Sequence, residues 1–289
     1  MRLAFLGTPE AAVVTLERLV HAGHDVRIVV TRPDRRRGRG GSLGASPVKR
    51  AALELGLPVS DDLAEVARAG VERGVVVAYG AMIPAALLAE VPMLNVHFSL
   101  LPRWRGAAPV ARAILAGDEE TGVDVMGLEA TLDTGPVYAE VRTSVGAKTL
   151  SELTSELAEA GTTALLEVLA SEALLAHPRA QQGEPTYAAK LSAETFHIDP
   201  TMDAVRAARI VRLERTQISV GGRRLRVRRA RLVEDEGPAG IVTMSPHGPV
   251  AHFATGALLL EEVQPEGKRA MASAAWWAGA RLETPTSWG

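Results

Sequence analysis

LAFLGTPEAAVVTLERLVH (residues 3–21) opens on four apolar residues, turns at Gly7-Thr8-Pro9-Glu10, and continues with apolar residues at helical spacing. The first four read as a short buried strand. Thr8 reads as N-cap and Pro9 as a first-turn residue of a helix over 9–21. Working outward, strands are expected at 26–30, 75–79, 94–98 and 123–128, and helices at 47–55, 62–73, 108–116 and 150–169. Strands alternating with helices predict an α/β fold with a doubly wound, mostly parallel, Rossmann-like sheet. Only Gly7 of a G-x-G-x-x-G pattern is present, so the first turn reads as a capped helix start and not as a dinucleotide site.

The texture changes after residue 170. Residues 177–201 are rich in Pro, Gln, Thr and charge without a sustained period. Short β-like runs then follow at 217–220, 224–228, 240–244, 250–254 and 258–263, punctuated by Gly and Pro. We read a first α/β domain over 1–186, a linker over 187–205, and a small C-terminal β-barrel over 206–289.

The chain has 289 residues, 47% hydrophobic and 23% charged, enough for one large or two moderate cores. The absence of cysteine excludes disulfides, thiolate-ligated zinc and a thiol nucleophile, which leaves oxygen and nitrogen chemistry. No apolar run approaches the length of about 18 residues that a spanning helix needs, and no secretory leader pattern opens the chain. A soluble, cytoplasmic protein with no membrane association and no obligatory protein partner is expected. His21 and His24 flank Gly23, which should end the helix and part the two imidazoles, so no metal site is expected. Net charge is only −2, yet residues 32–39 hold five arginines against one Asp, and residues 223–231 hold six arginines. On an extended strand Arg224, Arg226 and Arg228 share one face above Leu225 and Val227 and can follow a phosphate backbone; a solvated strand face would look the same. The loop carrying Arg35, Arg36, Arg37 and Arg39 is open to both readings too.

LNVHFSLLPRWRGAAP (94–109) carries the chemistry. On a strand, Asn95, His97 and Ser99 project to one face while Leu94, Val96 and Phe98 fill the other. An amide and an imidazole side by side can aim N–H groups at one developing oxyanion, as acyl transfer requires. The same alternation also describes a half-buried strand with a wet face. Further on, Asp133-Thr134-Gly135 reads equally as a turn; an aspartic-protease site is excluded because no second DTG or DSG occurs.

NVHFSLLPRWRGAAP, followed by GDEETGVDVMGLEATLDTGPV (117–137), resembles the formyltransferase domain of the methionyl-tRNA formyltransferases, a branch of the folate-dependent formyltransferase family. FLGTPE (5–10), TRPDRRRGRG (31–40), SPVKRAA (46–52), VVVAYGAMIP (75–84) and YAAKLS (187–192) extend the resemblance, in order, over most of the first 195 residues. The resemblance implies formyl transfer from 10-formyltetrahydrofolate to the α-amino group of initiator methionyl-tRNA, without a metal. It places Asp133 on the family's essential aspartate. Asn95 is then expected as a neutral oxyanion donor, His97 as a second donor with acid–base work, and Asp133 as the carboxylate that orients His97 or relays the proton. Folate recognition is expected from main-chain groups at Ser99, Leu100, Leu101 and Pro102 and from the apolar residues 81–84; tRNA binding is expected from Arg35, Arg36, Arg37, Arg39, Arg224, Arg226 and Arg228. Rival readings are a formyltransferase acting on a small amine (a sugar nucleotide or purine precursor) and a non-catalytic RNA-binding relative. The chain departs from the family between 207 and 220, where many members carry Asn-Pro-Trp-Pro and this one reads Arg212-Leu213-Glu214-Arg215-Thr216. It also looks shorter between 58 and 74.

Overall fold

The expected alternation of strand and helix is realised in a seven-stranded sheet, in a computed structural model that describes residues 1–37 and 42–289. Two units are distinguished. One comprises Met1–Val110, Glu120–Ser144 and Thr154–Ala189; the other comprises Ala111–Glu119, Val145–Leu153 and Lys190–Gly289.

Among the described residues of the first unit, the strands are β1 (Arg2–Gly7), β2 (Asp25–Val30), β3 (Arg35–Arg37), β4 (Ser42–Gly44), β5 (Val59–Ser60), β6 (Arg73–Val77), β7 (Met93–His97), β8 (Arg105–Gly106), β9 (Glu120–Gly127), β10 (Val137–Ser144) and β11 (Tyr187–Ala188). Helices α1 (Val13–His21), α2 (Pro47–Glu54), α3 (Ala64–Arg68), α4 (Ala85–Glu90), most of α6 (Leu150–Ala170) and α7 (Glu172–Ala176) intervene, while most of α5 (Pro109–Ala116) and the start of α6 belong to the second unit. The main sheet has the order β10-β9-β7-β6-β1-β2-β5. From β7 to β5 all pairings are parallel, while β9 is antiparallel to both β7 and β10. The mostly parallel, doubly wound sheet is therefore present.

Helices cover both faces because the parallel strands are apolar on both. Val66 of α3 and Leu87 of α4 pack with Ala4, Leu6, Ile28, Val30, Val76 and Met93 on one face. On the other, α6 lies so close that a Cβ added at Gly161 would stand 2.6 Å from Val96 and 2.7 Å from Val123. Thr15 of α1 and Thr162 of α6 share a buried hydroxyl hydrogen bond of 2.7 Å.

Several local expectations are corrected. Thr8 is not the helix cap: its hydroxyl donates to the Tyr79 carbonyl at 3.0 Å, tying β1 to the exit of β6, and a 3-10 turn over Glu10–Ala12 precedes α1. The helix expected over 62–73 stops at Arg68; Gly70 takes a left-handed φ of +62°, and Arg73 already pairs with Leu3. The cationic loop at 35 is flanked by a two-stranded hairpin, β3 with β4. Strand β10 and helix α4 were not anticipated, since the first alternates charged residues and the second is a single short apolar run.

In the second unit, β12 (Gln217–Val220), β13 (Arg223–Val233), β14 (Ile241–Ser245), β15 (Gly248–His252), β16 (Ala257–Pro265), β17 (Met271–Ala272) and β18 (Thr286–Ser287) form an antiparallel sheet in the order β12-β13-β16-β15-β14-β18, with β17 beside β16. Ser219 exchanges both main-chain hydrogen bonds with Gly289, and Val220 bridges to Trp288, so the two ends of this sheet meet and the barrel closes. Its core holds Phe253, Trp276, Trp277 and Trp288 among aliphatic residues. The purely β reading of this region is corrected by α8 (Ala204–Val211) and α9 (Ser273–Ala280). Asp203 caps α8, accepting from Val205 N–H at 2.7 Å, and Ala204, Ala207, Ile210 and Val211 are its buried face.

Candidate active site

Strand β7 delivers two of the expected site residues. Leu94 and Val96 are buried against the helical face, and Asn95 and His97 point to the opposite one, so the alternation expected from sequence holds to the strand's end at His97. Ser99 leaves the strand: its N–H closes a tight turn on the His97 carbonyl, and its hydroxyl donates to the Arg103 carbonyl at 2.6 Å. The side chain of Leu101 packs with Met126 and Val137 in a small apolar cluster, and Leu100 lies against Gly122.

The chain then doubles back over His97. Trp104 sits at a left-handed φ of +63°, with the Arg103 guanidinium 4.5 Å above its ring, and the Trp104 carbonyl accepts a hydrogen bond from His97 Nε2 at 3.1 Å. A carbonyl can only accept, so the neutral imidazole carries its proton on Nε2 and a lone pair on Nδ1. Nδ1 faces Asp133 Oδ2 at 3.8 Å, both side chains being about 94% buried. Burial pushes the His97 pKa below the ordinary imidazole value, while the Asp133 charge and the Trp104 carbonyl pull it back up.

Asp133 is held from two sides. It adopts φ +52°, a conformation that Asp tolerates, and its Oδ2 accepts the Gly106 N–H at 2.7 Å. Gly106 has φ +118°, and a Cβ there would stand 2.9 Å from the Ala188 carbonyl, so this position requires glycine. Gln181 donates to the Asp133 and Gly135 carbonyls at 2.9 and 2.8 Å and accepts from Arg105 at 3.1 and 2.6 Å. Strand β11 pairs in parallel with β8, and Thr186 accepts the Trp104 N–H at 2.9 Å. Sequence reasoning missed Gln181, Thr186 and β11, which fall in polar stretches without periodicity. Asn95 is half-buried, and its side-chain amide has no partner among the described residues.

A cavity of about 420 Å³ lies at the carboxyl ends of β1, β2 and β6, lined by Thr8, Arg32, Arg35, Ser46, Ala78 and Tyr79 among others. Of the basic residues expected to bind tRNA, Arg35 is exposed and lines this cavity; Arg39 lies outside the described residues, as do the side chains of Arg36 and Arg37. On β13, Leu225 and Val227 are buried while Arg224, Arg226 and Arg228 point outward, as expected. Bulges on either side of Arg229 then break the alternation. Acids engage much of this cluster: Arg228 pairs with Glu214 at 3.2 Å, Arg231 with Glu261 at 3.1 Å, and Arg229 with Glu152. Arg224 and Arg226 make no ion pair among the described residues. No group of three metal-ligating side chains occurs among the described residues, and none of the described helices is long and apolar enough to cross a membrane.

Comparison with known proteins covers both units. A family model described as formyl transferase matches residues 1–169, and one described as formyl transferase, C-terminal domain, matches residues 190–281. A methionyl-tRNA formyltransferase of Rhizorhabdus wittichii is 43% identical over 290 residues, covering 94% of this chain and 93% of the relative. The solved methionyl-tRNA formyltransferase from Clostridium thermocellum superposes with a TM-score of 0.59 at 16% identity, over 83% of this chain and 96% of that one. HypX from Aquifex aeolicus in complex with tetrahydrofolic acid superposes with a TM-score of 0.66 at 17% identity, over 96% of this chain and 47% of the other.

Proposed function

The chain belongs to the formyl transferase family, and on that premise we propose that it transfers the formyl group of 10-formyltetrahydrofolate to the α-amino group of methionyl initiator tRNA, yielding N-formylmethionyl-tRNA. The observation that carries this reading is the 43% identity to a methionyl-tRNA formyltransferase over 94% of the chain, both units included. The buried His97–Asp133 pair beside an unpartnered Asn95 amide supplies chemistry that fits it.

An α-amino group has a pKa of about 7.7 to 8.0, so near neutral pH part of it is already a free nucleophile. The chain must position that amine, favour negative charge on the carbonyl oxygen under attack, take up the proton the nitrogen releases, and return a proton to N10 as its bond to the formyl carbon breaks and tetrahydrofolate leaves. Asn95 is the neutral N–H donor for the oxygen. With Nε2–H engaged by Trp104, His97 acts through Nδ1 as the proton acceptor, and Asp133 at 3.8 Å favours the imidazolium that forms. This differs from the expectation that His97 is a second N–H donor.

The folate is the formyl donor, and the residues present fit a flat heterocycle with a polar edge. Met82, 65% exposed, follows β6, and Leu132, 48% exposed, precedes Asp133; both offer apolar surface. Within Ser99 to Pro102, the Ser99 and Leu101 N–H groups are engaged internally. The Leu100 N–H and the Leu101 carbonyl remain to meet the donor. Arg35, Arg224 and Arg226 are the cations assigned to the tRNA backbone.

The test is direct: incubate the protein with 10-formyltetrahydrofolate and charged initiator tRNA and look for formylmethionine, with charged elongator tRNA as control. Asn95→Ala and His97→Ala should each lower turnover by about 10² to 10³ while tRNA binding persists. Absence of formylmethionine with the native chain refutes the reading.

A further inference from the structure

Asp124 is a charged residue in an apolar strand, Val123-Asp124-Val125-Met126, and it is fully buried. In the sheet register it stands opposite His97 on β7 and opposite Glu140 on β10, so the three side chains share the face that carries the site. Its Oδ2 accepts the Leu101 N–H at 2.7 Å, while Oδ1 has no hydrogen-bond partner. A buried acid with one oxygen unsatisfied opposes folding, and an apolar side chain would suit the core better.

The chain segment that Asp124 grips explains the arrangement. From His97 to Trp104 the backbone makes one tight loop: it starts with the Ser99 N–H on the His97 carbonyl, is braced by the Ser99 hydroxyl on the Arg103 carbonyl, and ends with the Trp104 carbonyl on His97 Nε2. Both ends of the loop therefore meet at His97, and Leu101 in its middle is tied to the sheet through Asp124. We propose that Asp124 is a positioning residue for His97: by holding the Leu101 amide it fixes the loop whose Trp104 carbonyl keeps the imidazole in its Nε2–H form, with Nδ1 turned to Asp133.

The groups facing Asp124 are His97 from β7, Glu140 and Arg142 from β10, and Arg179. Burial pushes the Asp124 carboxyl up to about 7; the Leu101 N–H, Arg179 and Arg142 pull it down, and Glu140 pushes it up. A carboxylate accepts an amide N–H more strongly than a neutral acid does, so the grip on Leu101 slackens as pH falls through neutrality. The inference rests on the proposed role of His97 in formyl transfer.

Asp124→Ala removes the grip, while Asp124→Asn keeps an oxygen for the Leu101 N–H and removes the titration. Both are compared with the native chain by kcat and KM across about pH 6 to 8, and by the imidazole ¹⁵N signals of His97, assigned by their loss in His97→Gln. Asp124→Ala should lower kcat about ten-fold or more with the KM for tRNA within about two-fold, and the Nε2–H signature of His97 should disappear. Asp124→Asn should recover most of kcat and remove the part of the pH dependence centred near pH 7 that the native chain shows, leaving the rise that belongs to the substrate amine at about 7.7 to 8.0. An unchanged His97 signature and kcat in Asp124→Ala, or a native pH profile in Asp124→Asn, overturns the proposal. Should Asp124→Ala fail to fold, the Asp124→Asn profile decides alone. Near-native turnover of His97→Ala would instead overturn the role given to His97, while the ¹⁵N signals still report whether Asp124 holds the ring.

Discussion

Replacing Asp124 by Asn should stabilise the first unit at alkaline pH. The Asp124 carboxyl lies at about 7 in the fold against 3.8 as its ordinary value. A raised acid opposes folding wherever it is ionised in the unfolded chain: stability is full below 3.8 and declines as pH rises through the folded value. At about 1.36 kcal/mol per pH unit, the penalty reaches about 4 kcal/mol by pH 8, more than half of which accrues between pH 5 and pH 8. Asn is neutral throughout and carries none of it; the stronger bond that the ionised carboxylate makes to the Leu101 N–H is already contained in the folded value. Amide hydrogen exchange of β7 and β9 as a function of urea, at pH 5 and pH 8, reads the stability of this sheet specifically. The difference between Asn and Asp should swing toward Asn by about 2 to 3 kcal/mol across that interval. A difference constant within about 0.5 kcal/mol would refute the placement of a titrating acid in this sheet.

Three further outcomes are expected. Gly161→Ala should destabilise the first unit despite a gain of about 1 kcal/mol in helix propensity, because overpacking against Val96 and Val123 costs about 1 to 3 kcal/mol; a melting temperature equal to or above native would show that α6 can move away. Asp133→Asn should lower the His97 pKa further, since it removes the charge that favours the imidazolium; the His97 ring titration by NMR should shift to lower pH, and a shift upward would contradict the pairing. Arg224→Ala and Arg226→Ala should each weaken tRNA binding and reduce its log–log salt slope by about one, whereas Arg228→Ala should leave the slope unchanged because Glu214 already engages that guanidinium.

The parts of the fold legible in sequence were those that local periodicity alone dictates. Strand β1, its turn, and α6 could be read because buried strands and amphipathic helices leave a repeat. Thr8 was misread because its hydroxyl answers to Tyr79, far away in sequence, and the helix at 62 was overextended because Arg73 is recruited by β1. Strand β10 carries charge on alternate positions and leaves no apolar signature. At the site, Asn95 and His97 were legible as neighbours on one strand face. That Asp133 reaches His97 came only through family resemblance, because a DTG turn is locally ambiguous. Asp124 left a sequence signal, a carboxylate among Val123, Val125 and Met126, that was open to reading and was passed over. Gln181 left none, since its hydrogen bonds run to main-chain carbonyls 46 and 48 residues away.

Barrel closure through Ser219 and Gly289 has a consequence for how the second unit comes into being. During vectorial synthesis β12 emerges with one backbone edge bare, and the segment that will sheathe it, residues 286–289, follows only after β13 to β17. Until then the nascent chain exposes a row of unmet amides and carbonyls to any neighbouring strand. On β13, one strand in from that edge, Arg224 and Arg226 stand opposite Ser219 and Gln217, and their charge deters intermolecular strand addition while the seam is still open.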